Sequence, residues 1–236
     1  MGKIRYVLRT ISNIYWELYR SWIRNLDGRL GQKLRHHYYG KRMKSLGRLS
    51  IIDTGVYIGG AEYISIGENT HIDKGCFIVA ADEHLDLSER YMKYVPNRDF
   101  KLKRGEIHIG DNCHIGRNSS ISGYGGVSIG NNCTFSEGVK CYSLSNLAYN
   151  PLDRSEVVSI MPYTGKSPSI EGPVVLEDNT WAGIDAILLP GVTIGRNSFV
   201  KAQTLVKDSF PENSYIGGNP AVRIRERYAV NQNDGY

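Results

Sequence analysis

The sequence predicts an all-β solenoid of triangular section, and three observations carry that prediction. First, apolar anchors recur every six residues, with two extra residues around Tyr124-Gly125-Gly126. They are Leu176, Ala182, Leu188, Ile194, Val200 and Val206 in one block, Ile109, Ile115, Ile121, Ile129, Phe135 and Cys141 in another, and Ile66, Ile72 and Ile78 before them. Second, glycine often follows the anchor, as in Ile66-Gly67, Ile109-Gly110, Ile115-Gly116, Ile129-Gly130 and Ile194-Gly195. Third, the position two before the anchor takes small or compact side chains: Thr70, Cys76, Cys113, Ser119, Cys133, Thr180, Ala186, Val192, Ser198 and Thr204. A period of six matches neither a helix nor a lone strand. It matches a short strand plus a tight turn, three such units closing one coil. Glycine beside the anchor is expected to supply backbone angles that other residues resist.

Composition agrees. The 236 residues suit one large domain or two small ones, and the 26 glycines are better explained by a repeat than by disorder. The formal net charge of +5 is uneven, with Lys and Arg concentrated in residues 1–48. A basic end on a near-neutral body suggests a surface contact and not a nucleic-acid-binding domain. The cysteines at 76, 113, 133 and 141 form no CxxC pair. Three of them occupy the small-residue slot, so they are expected to be buried, reduced packing residues and not zinc ligands. No secretory leader and no membrane-spanning run is expected, which points to the cytoplasm.

The most specific stretch runs from Val175 to Val206 and on through PENSYIGGNPAVRIR. Its segments Asn179-Thr180-Trp181-Ala182-Gly183, Leu189-Pro190-Gly191-Val192 and Gly218-Asn219-Pro220-Ala221 closely resemble the final coils of hexapeptide-repeat acyltransferases. The resemblance covers about Ile51 to Ala221. It implies a left-handed parallel β-helix, a homotrimer, and acetyl-CoA as co-substrate in the groove between subunits. The expected organisation is therefore a left-handed parallel β-helix at 49–222 with a helical N-terminal segment at 1–48. Two long loop insertions, at about 79–106 and 142–175, and a tail at 223–236 complete it.

In the N-terminal segment Ile4, Val7, Leu8, Ile11, Ile14, Tyr15, Leu18, Tyr19, Trp22 and Ile23 follow helical spacing, with Arg5, Arg9, Arg20 and Arg24 among them. Two roles fit. One is a cap on the open solenoid end; the other is a basic amphipathic helix on an anionic membrane, making the protein peripheral to its inner face.

Counting anchors in threes puts Ile78, Ile121, Cys141 and Val206 on one face, so both insertions should leave from one edge. Their starts lie two coils apart, roughly 10 Å at strand spacing. A cleft bordered by them is the expected acceptor site, with Asp153 and Tyr163 as substrate contacts. The family resemblance implies a histidine general base there, since imidazole titrates near working pH. Asn146 stands at that position, or Asn150 if Asn150-Pro151-Leu152-Asp153 is the better match to the family's His-Pro-Leu-Asp. Asparagine cannot take up a proton. His84, among Asp82, Glu83 and Asp86 in the other insertion, is the candidate replacement base, and a surface histidine among acids is the plainer explanation.

By the same resemblance Trp181 and Gly183 would border the pantetheine arm. Ala202 and Gly218, Asn219 and Pro220 would give backbone contacts, and Lys207, Arg223 and Arg225 would meet the CoA phosphates. His71, His108 and His114 each precede an anchor and should point outward. His71 and His114 share a face, one coil apart. Carbonic anhydrases of this fold bind zinc through histidines, but the spacing here differs from theirs, no acidic set is expected beside these residues, and no metal is expected. Two functions follow: an acetyl-CoA-dependent O-acetyltransferase acting on a sugar or polysaccharide precursor, or a catalytically degenerate scaffold that binds a ligand or partner.

Overall fold

A computed structural model describes residues 2–80, 90–156, 158 and 167–228. Each six-residue unit forms a strand of two or three residues and a turn, and the strands stack into three parallel sheets. Two of these faces have six strands; the remaining one has eight, because a terminal hairpin adds to it. The first face begins with Ser45–Leu46, the second with Ile51–Ile52 and the third with Tyr57–Gly59, so six coils follow one another. Ile78, Ile121, Cys141, Leu188 and Val206 lie in register on the third face. The anchors Ile52, Ile72, Ile115, Phe135, Ala182, Val200 and Ile216 line the core behind the second face, each fully buried. Burying an Ile or Phe side chain is worth about 1.5–3 kcal/mol, and every coil contributes several such residues.

The turns correct one expectation. Glycines after the anchor do not need unusual backbone angles; they need the absence of a side chain. A Cβ on Gly110 would lie 2.7 Å from the carbonyl oxygen of Gly130, and one on Gly116 would lie 2.7 Å from that of Phe135. Adjacent coils touch through backbone at these corners. The left-handed conformation falls instead three residues before the anchor. At the corner entering the second face that column reads Leu49, Asn69, Asn112, Asn132, Asn179, Asn197 and Asn213, all with positive φ. Asn tolerates this region better than other residues with a Cβ. Some of these side chains join into ladders, with Asn69 Nδ2 donating to Asn112 Oδ1 (2.9 Å) and Asn179 Nδ2 to Asn197 Oδ1 (2.8 Å).

The small-residue column just inside the same corner satisfies the backbone. Ser50 Oγ donates to the Gly67 carbonyl, Thr70 Oγ1 to that of Gly110 and Cys113 Sγ to that of Gly130. All four cysteines are free and buried, and burial pushes the Cys76 thiol up to about 11. Inert packing thiols are what such an environment produces.

Residues 2–40 form two helices, α1 (Gly2–Asn25) and α2 (Gly28–Gly40). Asp27 caps α2, its carboxylate accepting from Gly28 N at 2.7 Å. The fully buried Arg35 joins both helices to the first coil. It donates to the carbonyls of Ile23 (2.7 Å) and Leu26 (2.6 Å) at the end of α1, and of Ile52 (2.8 Å) in the first coil. Helix-end carbonyls lack intrahelical donors, so one guanidinium fork supplies them. With Ile23, Tyr38 and Tyr39 buried beside it, α2 covers the open end of the solenoid. The first strand of the coil already starts at Ser45, ahead of the expected boundary at 49. At the other end Ser214–Gly218 pairs antiparallel with Ala221–Glu226, so residues up to Glu226 belong to the second face and not to a free tail.

Both inserted segments leave after strands of the third face, Phe77–Val79 and Lys140–Tyr142. The chain returns to the first face at Ile107 and Val174, and the coils on either side of each insertion pair directly, so among the described residues neither insertion holds a coil. They form a small sheet of their own. Ser167–Glu171 pairs parallel with Arg90–Tyr94 and antiparallel with Leu144–Asn146.

Candidate functional site

Two neighbourhoods carry the chemistry named from the sequence. The first is the edge where the insertions meet. Glu171 is buried there, and Arg104 grips it with two hydrogen bonds, Nε to Oε1 at 2.5 Å and Nη2 to Oε2 at 2.6 Å. A paired fork of this kind fixes both insertions against each other. Nothing in the sequence singles out this pair, because the residues are far apart in the chain and neither belongs to the repeat. Asn146 lies in the small sheet with its side chain exposed, its backbone in register with Ser169. Asn150 is buried. Its amide donates to Glu156 Oε2 (2.6 Å) and its oxygen accepts from Leu152 N (2.8 Å), so it shapes its own loop. Asp153 is exposed and accepts from the backbone and hydroxyl of Ser155, which hold its carboxyl below the usual range. His84 and Tyr163 lie outside the described residues. The strands that follow their segments, Arg90–Tyr94 and Ser167–Glu171, are direct neighbours.

The second neighbourhood is the C-terminal part of the second face. Trp181, Phe199 and Tyr215 are in register on three consecutive rungs. Trp181 is 44% exposed, and its ring meets Phe199 edge-on at 5.5 Å, while Phe199 stacks on Tyr215 at 5.3 Å. The indole N–H donates to Ser136 Oγ at 2.8 Å, which orients the ring and leaves a face open. Gly183 and Gly217 follow the anchors, next to exposed Lys201 and Ala202. A Cβ on Gly183 would lie 2.6 Å from Ala202 N, so this glycine keeps the coils apart by one backbone thickness. Gly218, Asn219 and Pro220 turn the terminal hairpin directly beyond, and Arg223 pairs with Ile216 across it. Arg225 lies over the Tyr215 ring at 4.2 Å. Trp181, Gly183, Ala202, Gly218–Pro220, Arg223 and Arg225 are thus gathered along adjacent rungs. Lys207 is not among them; it follows Val206 on the third face and pairs with Asp208 at 2.7 Å.

A cleft of about 440 Å³ lies elsewhere, lined by Asp99, Glu177, Thr193, Arg196 and Glu212 among others. Arg196 is flanked there by Glu177 and Glu212 at 3.7 and 3.6 Å, which leaves an acidic surface unsuited to phosphates. The outward histidines correct a further expectation. An acidic set does stand beside them: Asp53 and Asp73 face His71, and Asp73 faces His114. The signal is present in the chain, since each Asp follows an anchor on the second face (Ile52, Ile72), where later coils have Gly116, Ser136 and Gly183.

The mainly parallel three-faced coil with backbone-to-backbone corners defines a hexapeptide-repeat solenoid. A family model for the hexapeptide repeat of succinyl-transferase matches residues 106–139 and 173–204, coils on either side of the second insertion. Among curated proteins, WbbJ of Escherichia coli K12, named for O-acetyl transfer in lipopolysaccharide biosynthesis, is 27% identical over 151 residues, covering 64% of this chain and 76% of its own length. YJL218W of Saccharomyces cerevisiae, which carries an acetyltransferase name, is 33% identical over 120 residues, 51% of this chain and 56% of its own. The chain spans about half the length of the first such relatives. Among solved structures, a single-residue variant of AntD, an N-acyltransferase of Bacillus cereus, superposes with a TM-score of 0.63 at 20% identity, covering 83% of this chain and 89% of that one. The sheets and the repeat together fit a left-handed β-helix. In sequence the chain is similar to hexapeptide-repeat acetyltransferases.

Proposed function

We propose that this protein is an acetyl-CoA-dependent O-acetyltransferase acting on a sugar or saccharide precursor, and that it works as a homotrimer. The observation that carries this reading is the set of aromatic, glycine and arginine positions along the last rungs of the second face, in and beyond the coils that the family model matches. An open Trp181 face suits the pantetheine arm, the bare Gly183–Ala202 edge suits backbone contact, and Arg223 and Arg225 suit phosphates. WbbJ is named as an O-acetyl transferase, and the AntD structure is a complex with coenzyme A and a dTDP-linked amino sugar. The first supports acetyl transfer in glycan synthesis, and the second a CoA donor with a sugar acceptor.

In the reaction a sugar hydroxyl attacks the thioester carbonyl and loses its proton to a general base. The acetyl group ends on the sugar oxygen, and CoA leaves as the thiol after protonation. His84 is the proposed base, with Asn146 available to orient the acceptor by hydrogen bonding. Asp153 and Tyr163 are proposed acceptor contacts. The buried, hydrogen-bonded Asn150 favours one second reading, a binding scaffold without catalysis, because neither asparagine can carry a proton.

Calorimetric titration of CoA and acetyl-CoA tests the donor half. One micromolar site per subunit supports it; no heat and no thermal shift at millimolar ligand would refute it. If the enzyme turns over, unchanged kcat in His84→Ala would remove His84 as base. We also assign α1 to an anionic membrane surface. No helix among the described residues is long and apolar enough to cross a membrane. Ile14, Tyr15, Trp16, Leu18 and Trp22 are nevertheless exposed on α1, with Arg20 and Arg42 exposed nearby. Aromatic and aliphatic side chains flanked by cations suit such an interface. Flotation with anionic but not neutral vesicles, abolished by Trp16→Ser with Trp22→Ser, is the expected result.

A further inference from the structure

The donor groove uses only the C-terminal rungs of the second face, and the N-terminal rungs of that face carry a different chemistry. His71 projects from the second coil between two carboxylates. Its Nε2 lies 3.6 Å from Asp73 Oδ1 and 4.0 Å from Asp53 Oδ2. The three donor atoms all fall within 4.8 Å of one another. His71 Nε2 is shielded from solvent and has no hydrogen-bond partner, an uncommon state for a shielded ring nitrogen. The carboxylates are 14% and 18% exposed, and two such like charges converging on one point repel unless a cation lies between them. The Arg35 guanidinium feels the Asp53 charge, but its hydrogen bonds go to the backbone carbonyls of Ile23, Leu26 and Ile52 and to neither carboxylate.

We propose that Asp53 Oδ2, His71 Nε2 and Asp73 Oδ1 bind a divalent transition-metal ion, zinc being the best fit. Zinc takes imidazole nitrogen and carboxylate oxygen at about 2.0–2.2 Å, so its neighbouring ligands stand roughly 3–3.6 Å apart. The two imidazole–carboxylate pairs, at 3.6 and 4.0 Å, meet that with a closure of at most a few tenths of an ångström, and the two carboxylates, within 4.8 Å of each other, draw together around the ion. A set with one imidazole and two carboxylates suits zinc better than calcium or magnesium, which prefer all-oxygen shells.

Two flanking contacts hold the ligands in place. His114 Nε2 meets the other oxygen of Asp73 at 3.0 Å, and Gln32 Nε2 donates to the other oxygen of Asp53 at 3.2 Å. Each carboxylate thus presents one oxygen to the site while its second is engaged, the arrangement that orients metal ligands. Asp53 belongs to the first coil, His71 and Asp73 to the second, and His114, which braces Asp73, to the third. The ion joins the first two coils directly, and Gln32 of α2 links it to the cap.

The test is zinc titration by calorimetry and thermal melting on protein stripped with chelator and desalted. The wild type should bind one ion per chain with micromolar or tighter affinity, and its Tm should rise by several degrees. Asp73→Asn and His71→Gln should each weaken binding at least tenfold and abolish the Tm rise. Their metal-free melting should match that of the metal-free wild type. No binding at submillimolar zinc, or equal binding in both variants, would overturn the proposal. Should either variant fail to fold, zinc-edge anomalous diffraction from wild-type crystals decides. A peak among Asp53, His71 and Asp73 supports the site, and a peak elsewhere or none sinks it.

Discussion

The second face is one sheet with two characters. In its N-terminal half the outward positions in register are His71 and His114, with Asp53 and Asp73 just past the anchors Ile52 and Ile72; in its C-terminal half they are Trp181, Phe199 and Tyr215. Behind both halves the anchors are equivalent: Ile72 and Ile115 in one, Ala182 and Val200 in the other, all fully buried. Inward residues are dictated by the coil, and outward ones are free to differ. The difference teaches where to look for function on a solenoid: in the side chains that the coil does not need.

The largest effect should come from attacking what the halves share. Gly116→Val and Gly183→Val each place side-chain atoms against neighbouring backbone and should both cost about 3 kcal/mol or more, read as a fall in Tm. A large loss at one site only would break the equivalence of the scaffold. Next comes what distinguishes the halves. Trp181→Ala should weaken CoA binding roughly five- to tenfold, about 1 kcal/mol of aromatic contact, whereas His114→Ala should leave it unchanged. Calorimetry that finds the reverse would exchange the roles of the two halves.

A third measurement isolates the N-terminal end. Lys74, Thr54 and the Gly28 amide hold the exposed Asp27 carboxyl down at about 2, from 3.8. A depressed carboxyl stabilises the fold above its unfolded pKa, and that contribution disappears as pH falls through the folded one. Wild-type stability should therefore decline between pH 3.8 and about 2, and Asp27→Asn should flatten that limb of a pH–Tm curve. The smallest effect concerns Leu49, the one member of the Asn column that lacks a polar side chain. Leu49→Asn should stabilise by about 0.5 kcal/mol, relieving part of the left-handed cost. The change at Asn179→Leu, the equivalent corner in the C-terminal half, should have the opposite sign.

Much of this is legible in the chain. Ile78, Ile121 and Cys141 can be assigned to one face by counting anchors, because each coil consumes three units of six and any error would bury a polar residue. Cys76, Cys113 and Cys133 can be read as packing residues because each takes the small-residue slot two before an anchor, where other coils have Thr, Ser or Ala. The role of glycine after the anchor is not legible, since sequence shows the absence of a side chain and not whether backbone torsion or backbone contact requires it. Asp53 and Asp73 escape notice beside His71 for a related reason: they are 20 residues apart in a chain whose coils bring them together. Arg35 reads as part of a basic run, although it is the buried link between α1, α2 and the first coil.

By itself the sequence determined the coil, its faces, and the edge from which both insertions leave, because a strict period leaves only one way to bury the anchors. The tertiary structure decided what the irregular residues do. The pairing of Ser167–Glu171 with Arg90–Tyr94, the Arg104–Glu171 fork and the convergence of two aspartates on His71 all join residues without a shared period. Such contacts follow from where stacked coils carry their side chains in space, which no local pattern records.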